Sequence, residues 1–223
     1  KGIAVDKSGN VYVTGSTTST NFLVKNAFQS NLAGPPKSGF PDAFVTKINK
    51  TGSAVIYSTY LGGKGIDTGE AVYAADSGEA YVTGFTNSSN FPTTGNAYAP
   101  KCKECNDGSM GDYGDAFVTR LSSSGKPLLY STYLGGSDGR DYAFSIGVDS
   151  FGHAVVGGET LSKNFPTTPG NERKCKPVVK TCEGCLLPDG FLSMLNGSGS
   201  KLLYSTYFMG SDGSDEIMAV ALD

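Results

Sequence analysis

The chain has 223 residues, of which 38% are hydrophobic, so its composition allows a packed core and argues against intrinsic disorder. Its 18 basic and 21 acidic residues give a formal net charge of −3 with no basic cluster, which argues against nucleic acid or an anionic membrane as a partner. The 31 Gly and 12 Tyr, with no Trp and no apolar stretch of the ~20 residues that a membrane helix needs, favour an all-β fold without membrane insertion.

Four strands are predicted at the start of the chain. In chain order they are GIAVD (2–6), VYVTGST (11–17), DAFVTKI (42–48) and AVIYSTYLG (54–62), all rich in β-branched and aromatic residues. The turn DKSGN joins the first two strands and NKTGS joins the last two, and a Gly at such a turn supplies the positive φ of a bulged hairpin. This unit is therefore predicted to be two hairpins that form one four-stranded antiparallel sheet.

The strand sequences recur in phase along the chain. YSTYLGG at 57–63 returns at 130–136 and again as YSTYFMG at 204–210, with offsets of 73 and 74 residues. The segments DAFVT and YVTGST also have two later copies each, and DAFVT keeps the same offsets. We therefore predict three repeats of about 69–74 residues, with these bounds: 2–70, 71–144 and 145–218, followed by the start of another repeat at 219–223.

Both faces of the predicted sheet are apolar. In LLYSTYL the alternation of side chains predicts one face with Leu128, Tyr130, Thr132 and Leu134 and the other with Leu129, Ser131 and Tyr133. Neither face suits water, so each sheet is expected to stack on its neighbours. Radial stacking of four-stranded sheets is a β-propeller, which needs at least about four blades to close.

The repeat phase is out of step with the chain ends. Asp6, Asp149 and Asp223 share one phase, in which Ala75 is the remaining member. The chain thus starts on the first strand of one repeat and stops after the first strand of another. We therefore favour a segment of a larger propeller over a subunit that is completed by further copies. We expect the isolated chain to oligomerise or aggregate rather than to remain a closed, stable monomer, because its terminal sheets would each expose an apolar face.

The combination of DAFVTKI, GSAVIYSTYLGG, GIAVDKSGNVYVTGST and NFPTT resembles the bacterial SBBP β-propeller repeat, a family of large secreted and surface-anchored proteins. The resemblance covers nearly the whole chain and implies a secreted or cell-surface location in a bacterium or archaeon. The matched residues are those of strands and turns, so they say little about activity. The chain departs from the pattern at Ala75, at FLVK (22–25) in place of FPTT, and in the long cysteine-bearing connections.

All five cysteines lie between the second and third strands of the second and third repeats. They are Cys102, Cys105, Cys175, Cys182 and Cys185. Disulfides that staple these connections are the preferred interpretation for an extracellular protein, although the pairing stays open and the odd number leaves at least one thiol unpaired within the chain. A four-cysteine zinc site built from two CxxC pairs is the alternative.

An acidic motif follows the last strand of each repeat. In GSDGRDY and GSDGSDE, the side chains of Asp138, Asp141, Asp212 and Asp215 offer oxygen ligands for calcium. The favoured interpretation is simpler, since Asp and Gly are also the residues that form tight turns between blades. We therefore expect no required cofactor, with calcium as the alternative.

A non-enzymatic module for binding or scaffolding is the leading functional hypothesis, with blade loops that contact a protein or glycan ligand. GGSDG at 135–139 matches the GxSxG pattern of hydrolases, but no strand-to-helix turn accompanies it and the one histidine, His153, lies in a hairpin turn. One alternative is a calcium-assisted polysaccharide hydrolase or lyase. The other is a subunit of a surface layer or extracellular filament, completed by other copies or by the remaining blades of a parent chain.

Overall fold

The computed structural model describes residues 1–34, 39–107, 113–170, 187–210 and 213–222. Twelve strands and no helix are found in these residues. The strands of the first sheet are β1 (Gly2–Val5), β2 (Val11–Thr17), β3 (Asp42–Ile48) and β4 (Val55–Leu61). Those of the second are β5 (Asp67–Ala74), β6 (Ala80–Thr86), β7 (Asp115–Leu121) and β8 (Leu128–Leu134). Those of the third are β9 (Asp141–Val148), β10 (Ala154–Thr160), β11 (Asp189–Leu195) and β12 (Leu202–Phe208).

Each sheet has its four strands in chain order, and every neighbouring pair is antiparallel. The predicted unit of two hairpins is therefore confirmed three times, and the chain is an all-β series of propeller blades. Gly9, Gly78 and Gly152, which end the first hairpin turn of each blade, have φ values of +84°, +84° and +80°. A side chain is strained in this backbone conformation, which explains why glycine recurs there.

The blades are stacked so that their first strands lie side by side: β1 contacts β5, and β5 contacts β9. In the second and third blades the first strand begins at Asp67 and Asp141, four residues before the repeat bounds at 71 and 145. The chain of hydrogen-bonded strands in each blade then runs outward to β4, β8 and β12. This arrangement is that of neighbouring blades in an open, partial propeller.

Two apolar clusters fill the blade junctions, as the two-faced strands predict. Tyr57 and Leu61 of the first blade pack with Phe117 and Leu121 of the second. On the other side of the second blade, Tyr130 and Leu134 pack with Ile146, Phe191 and further residues of the third. Burial on both faces of the middle blade is the physical reason that its strands read as continuous apolar runs.

One detail of the predicted faces is wrong. Tyr130 and Leu134 do share a face, but Leu128 packs in the cluster that contains Tyr133, and the side chain of Leu129 is 40% exposed. The cause is a β-bulge, in which Arg120 pairs with Tyr130 while Leu121 pairs with Leu128. Leu129 is the additional residue, so the alternation of side chains is reset at this point.

The connection between the second and third strands starts in the same way in every blade. Its first aromatic residue packs in the blade's own core, with ring-centroid distances of 4.8 Å for Phe22–Phe44, 4.6 Å for Phe91–Phe117 and 4.4 Å for Phe165–Phe191. The following residues then pair with the outermost strand, as the backbone hydrogen bond from Thr94 N to Ser131 O illustrates. Pairing of this kind covers a strand edge that would otherwise be open to aggregation.

Candidate functional site

The strand directions separate two ends of the blades. At one end lie the short hairpin turns, such as 75–79 and 122–127, and we call it the hairpin end. The connections 18–41, 87–114 and 161–188 and the inter-blade linkers 62–66 and 135–140 leave the strands at the opposite end, here called the insertion end. The chain between strands varies in length and sequence at the insertion end, so this end is the first candidate for a contact surface.

We call the connections 18–41, 87–114 and 161–188 the insertions. A tyrosine hydroxyl anchors the base of each one. Tyr133 Oη donates to Ser88 O at 2.7 Å and Tyr207 Oη donates to Ser162 O at 2.7 Å, while Tyr60 Oη donates to Ser19 O at 2.6 Å. The linkers are also bonded to the insertions, since Lys64 N donates to Asn90 Oδ1 and Ser137 N donates to Asn164 Oδ1, both at 2.8 Å. The insertions therefore start from rigid, repeated positions.

Two pairs of buried carboxylates lie at the insertion end of the blade junctions, and we call them the junction pairs. They are Asp42 with Asp67, and Asp115 with Asp141. A methyl group built on Gly62 would lie 2.7 Å from the carboxyl carbon of Asp42 and 2.7 Å from Asp67 Oδ2, so both carboxylates flank this glycine. The Cβ position of Gly135 has the same relation to Asp115 and Asp141.

Burial is the main cause of the raised pKa values in both junction pairs. It raises the pKa of Asp42 to about 6 and that of Asp67 to about 7, and the charge of Asp42 adds to the shift of Asp67. Burial likewise raises the pKa of Asp115 to about 8, with a contribution from Asp141, whose own pKa is raised to about 7. None of the four side chains is more than 2% exposed, so a substrate in solvent does not reach them.

The acidic residues proposed for calcium occupy different environments. Asp141 is buried and accepts hydrogen bonds from Gly136 N at 2.7 Å and from the hydroxyls of Thr160 and Ser162. Asp138 is exposed, and its Oδ1 accepts from Lys163 N at 2.9 Å. Asp215 Oδ2 accepts from Gly210 N at 2.9 Å, and Asp212 lies outside the described residues.

Within the described part of the chain, no group of three or more His, Cys, Asp or Glu side chains is placed to hold a metal ion. The structure instead brings Asp141 next to Asp115, a residue that lies outside the acidic motif. The signal was present in the sequence, because Asp42, Asp115 and Asp189 recur in phase at the start of the third strand of each repeat.

Cys102 and Cys105 form a disulfide with a Cα–Cα distance of 5.6 Å. Both residues are half-buried against the apolar cluster between the first and second blades. This is one of the pairings that the sequence left open, and a zinc site that needs both thiolates is incompatible with it. Cys175, Cys182 and Cys185 lie outside the described residues.

We predict that Cys102 and Cys105 resist alkylation of the native chain until a reductant is added. The expected result is that the peptide carrying both cysteines is unmodified after iodoacetamide alone and gains two carbamidomethyl groups after reduction, because a disulfide sulfur is not the nucleophile. Peptide mass spectrometry measures this directly. Alkylation of both thiols without reductant, together with stoichiometric zinc in the native chain, would contradict it.

A cavity of about 730 Å³ lies at the hairpin end, between the second and third blades and residues 220–222. Glu79 and Arg120 form an ion pair on its wall, with 2.6 Å between Oε2 and Nη2, and the guanidinium lies 5.1 Å from the ring centroid of Tyr81. Phe151, at the tip of the neighbouring turn, is 80% exposed. The cavity thus combines apolar walls with a charged rim, which is the usual composition of a small-ligand site.

The residues of the GxSxG pattern do not meet the histidine. Ser137 lies in the linker at the insertion end, whereas His153 lies in a turn at the hairpin end, where its Nδ1 is 2.8 Å from Asp149 Oδ2. A Ser–His–Asp arrangement needs the two side chains within hydrogen-bond distance. The pattern at 135–139 is therefore part of a blade linker.

Comparison with known families matches the chain to a β-propeller repeat model, SBBP, at residues 1–22 and 129–166. The first range covers β1 and β2, and the second runs from β8 through β10 to the aromatic residue Phe165. The chain therefore resembles the SBBP repeat family, as its strand and turn sequences indicate. A search of curated proteins found no match. In the described residues, no helix is long and apolar enough to cross a membrane.

Proposed function

We propose that this chain is a non-enzymatic binding module of a secreted or cell-surface protein, in which stacked blades hold the insertions as a contact surface. One observation carries the proposal: the insertions leave equivalent strand ends in all three blades and are anchored there by the same tyrosine-to-serine hydrogen bond. A rigid base with a variable outer part is the usual construction of a binding rim. SBBP repeats support a secreted location, since that family consists largely of such proteins.

The acidic residues of the chain favour binding over hydrolysis. A glycosidase that uses two carboxylates needs both of them in contact with the sugar. The four carboxylates with strongly raised pKa values are buried in the junction pairs, beneath the surface of the insertion end. A protein or glycan ligand at the insertions is therefore proposed in preference to a calcium-assisted polysaccharide hydrolase or lyase, and no cofactor is required by the proposal.

Charge reversal at the two ends tests where a ligand binds. Lys101 and Lys103 are exposed on an insertion, and Lys50 and Lys126 are exposed on turns at the hairpin end. We expect the fluorescently labelled chain to bind members of printed glycan or 15-residue peptide arrays, and the double variant K101E/K103E to lose at least tenfold in affinity. The matched variant K50E/K126E changes the net charge equally and is expected to retain binding.

Each alternative function has its own result in the same experiment. Release of new reducing ends or unsaturated sugars from a bound polysaccharide, with calcium present and abolished by EDTA, would establish the enzyme instead. Ordered sheets or filaments of the chain in electron micrographs would favour the surface-layer or filament subunit. Loss of binding in K50E/K126E alone would move the ligand site to the hairpin end, and no binding to either array would contradict the proposal.

A further inference from the structure

The two carboxylates of the first junction pair differ in the hydrogen bonds that they accept. Asp67 accepts hydrogen bonds at both oxygens, from the hydroxyl of Thr86 at Oδ1 and from Ser88 Oγ and Gly63 N at Oδ2. Asp42 accepts at Oδ2 only, from Gln29 Nε2 at 2.8 Å and Ala33 N at 2.9 Å. Its Oδ1 is buried and has no hydrogen-bond donor among the described residues, and the whole residue is 0% exposed.

This asymmetry has a simple chemical solution. Two negative charges that flank one glycine in a buried junction repel each other, so one of the two carboxyl groups is favoured in its neutral form. Donors surround Asp67 and stabilise its charged form, whereas Asp42 Oδ1 has no donor and lies 2.8 Å from the position of a Cβ on Gly62. We propose that each junction pair binds one proton near neutral pH, shared by its two carboxyl groups, and that this proton makes the stacking of the blades sensitive to pH.

The second pair matches the first in the hydrogen bonds of one member and in the glycine between the two carboxyl groups. Asp141 accepts from two hydroxyls and from Gly136 N, in the same way as Asp67. Asp115 accepts from the backbone of Lys103, and Gly135 occupies the place of Gly62. In the third repeat Met209 stands at the position of these two glycines, so the proposal is limited to the first two junctions.

Several charged or titratable groups lie around the junction pairs. Tyr133 lies near both Asp67 and Asp115, and it is neutral because burial raises its pKa far above the ordinary value. The side chains of Lys103 and Glu104 act on Asp115 with opposite signs, and Asp138 acts on Asp141 in the direction that favours a bound proton. Among the described residues, no cation contributes to the pKa shifts of Asp42 and Asp67.

A proton fits the junction pairs better than a calcium ion does. Calcium requires six to eight oxygen ligands, and carboxylates supply most of its charge compensation in proteins. In the first pair, both oxygens of Asp67 and one oxygen of Asp42 already accept hydrogen bonds from protein donors. One carboxylate oxygen, Asp42 Oδ1, is left for a metal, whereas a single proton in the pair neutralises one of its two charges.

The sign of the pH effect follows from the folded and unfolded pKa values. The pKa values of the four carboxyl groups are raised in the folded state to between about 6 and about 8, whereas an unfolded Asp has a pKa near 3.9. The folded state therefore binds more protons, and its stability is greatest at low pH within this window. As the pH rises from about 4 to the folded pKa, the folding equilibrium constant falls about tenfold per pH unit for each proton that only the folded state holds.

The test compares wild type with D42N/D115N. In Asp42→Asn the amide oxygen can keep the bonds from Gln29 and Ala33, while the NH₂ group replaces Oδ1 and imitates the protonated carboxyl. Chemical denaturation of the chain at pH 5 and pH 8, in EDTA, is expected to show a wild-type folding constant at least 100-fold larger at pH 5. D42N/D115N is expected to lose most of this difference, and the control Asp76→Asn, at an exposed site, is expected to keep it.

A second measurement does not depend on stability. The infrared carbonyl band of a protonated carboxyl group should be present in folded wild type at pH 6 and reduced in D42N/D115N but not in Asp76→Asn. The proposal fails if the band is absent, or if stability at pH 8 exceeds that at pH 5. It also fails if added calcium raises the stability of wild type at pH 8 and D42N/D115N loses that increase, since the pairs would then bind a metal.

Discussion

Replacing Gly125 with alanine is expected to destabilise the chain by about 2 kcal/mol more than the same change at Gly52. Both glycines occupy the same place in the second hairpin turn of their blades, with φ values of +87° and +69°. They differ in their surroundings. A methyl group on Gly125 would lie 2.5 Å from Cγ of Tyr57, a fully buried residue of the neighbouring blade, whereas nothing lies within 4 Å at Gly52.

Because both variants carry the same backbone strain, their difference measures the packing of one blade on the next. The strain itself costs about 1 kcal/mol for an alanine with positive φ. Gly199 provides a repeat of the experiment, since its Cβ position lies 2.2 Å from Cδ2 of Tyr130. Urea denaturation of the three variants gives the comparison. Equal losses at Gly52 and Gly125 would show that the blades do not stack through these turns.

Replacing Phe91 or Phe165 with alanine is expected to cost about 3–5 kcal/mol, the range for large aromatic residues in a core. Each is 3% exposed and packs within its blade between a phenylalanine and a tyrosine; for Phe91 the ring-centroid distances are 4.6 Å to Phe117 and 6.0 Å to Tyr133. Loss of the ring leaves a cavity and also frees the start of the insertion from its anchor.

Phe22→Ala is the matched control, because Phe22 has the same contacts, 4.8 Å to Phe44 and 5.7 Å to Tyr60, but is only half-buried. Its loss is expected to cost about half as much, in proportion to the smaller apolar area removed from water. Differential scanning calorimetry of the three single variants measures the order. A cost for Phe22→Ala equal to that of Phe165→Ala would contradict the assignment of these residues to the blade cores.

The resemblance to SBBP repeats and the stacked blades describe an architecture, whereas the proposed function rests on the parts that the repeat does not share. These are the insertions, with the Cys102–Cys105 disulfide in one of them, and the cavity at the hairpin end beside Phe151. The junction pairs connect the blade architecture with the insertions, because they lie where the insertions start and where neighbouring blades meet. A pH-dependent junction would change how rigidly the insertion end is held.

The sequence by itself determined the strands, the hairpins and the repeat. These features are local: alternating β-branched and aromatic residues make a strand, and a glycine with positive φ ends a hairpin turn within a few residues. The segment FLVK (22–25) shows how robust the pattern is. It departs from FPTT, yet Phe22 packs on Phe44 and the backbone of Lys25 pairs with Ser58.

Only the tertiary structure decided the positions that depend on two segments distant in sequence. The bulge at Leu129 is a property of the pairing between β7 and β8, so alternation within a single strand predicted the wrong face for Leu128. Asp42 and Asp67 belong to different blades and meet only because those blades stack. A carboxylate at a turn is ordinary in the sequence, and its unusual pKa arises from burial and from a second charge that folding brings beside it.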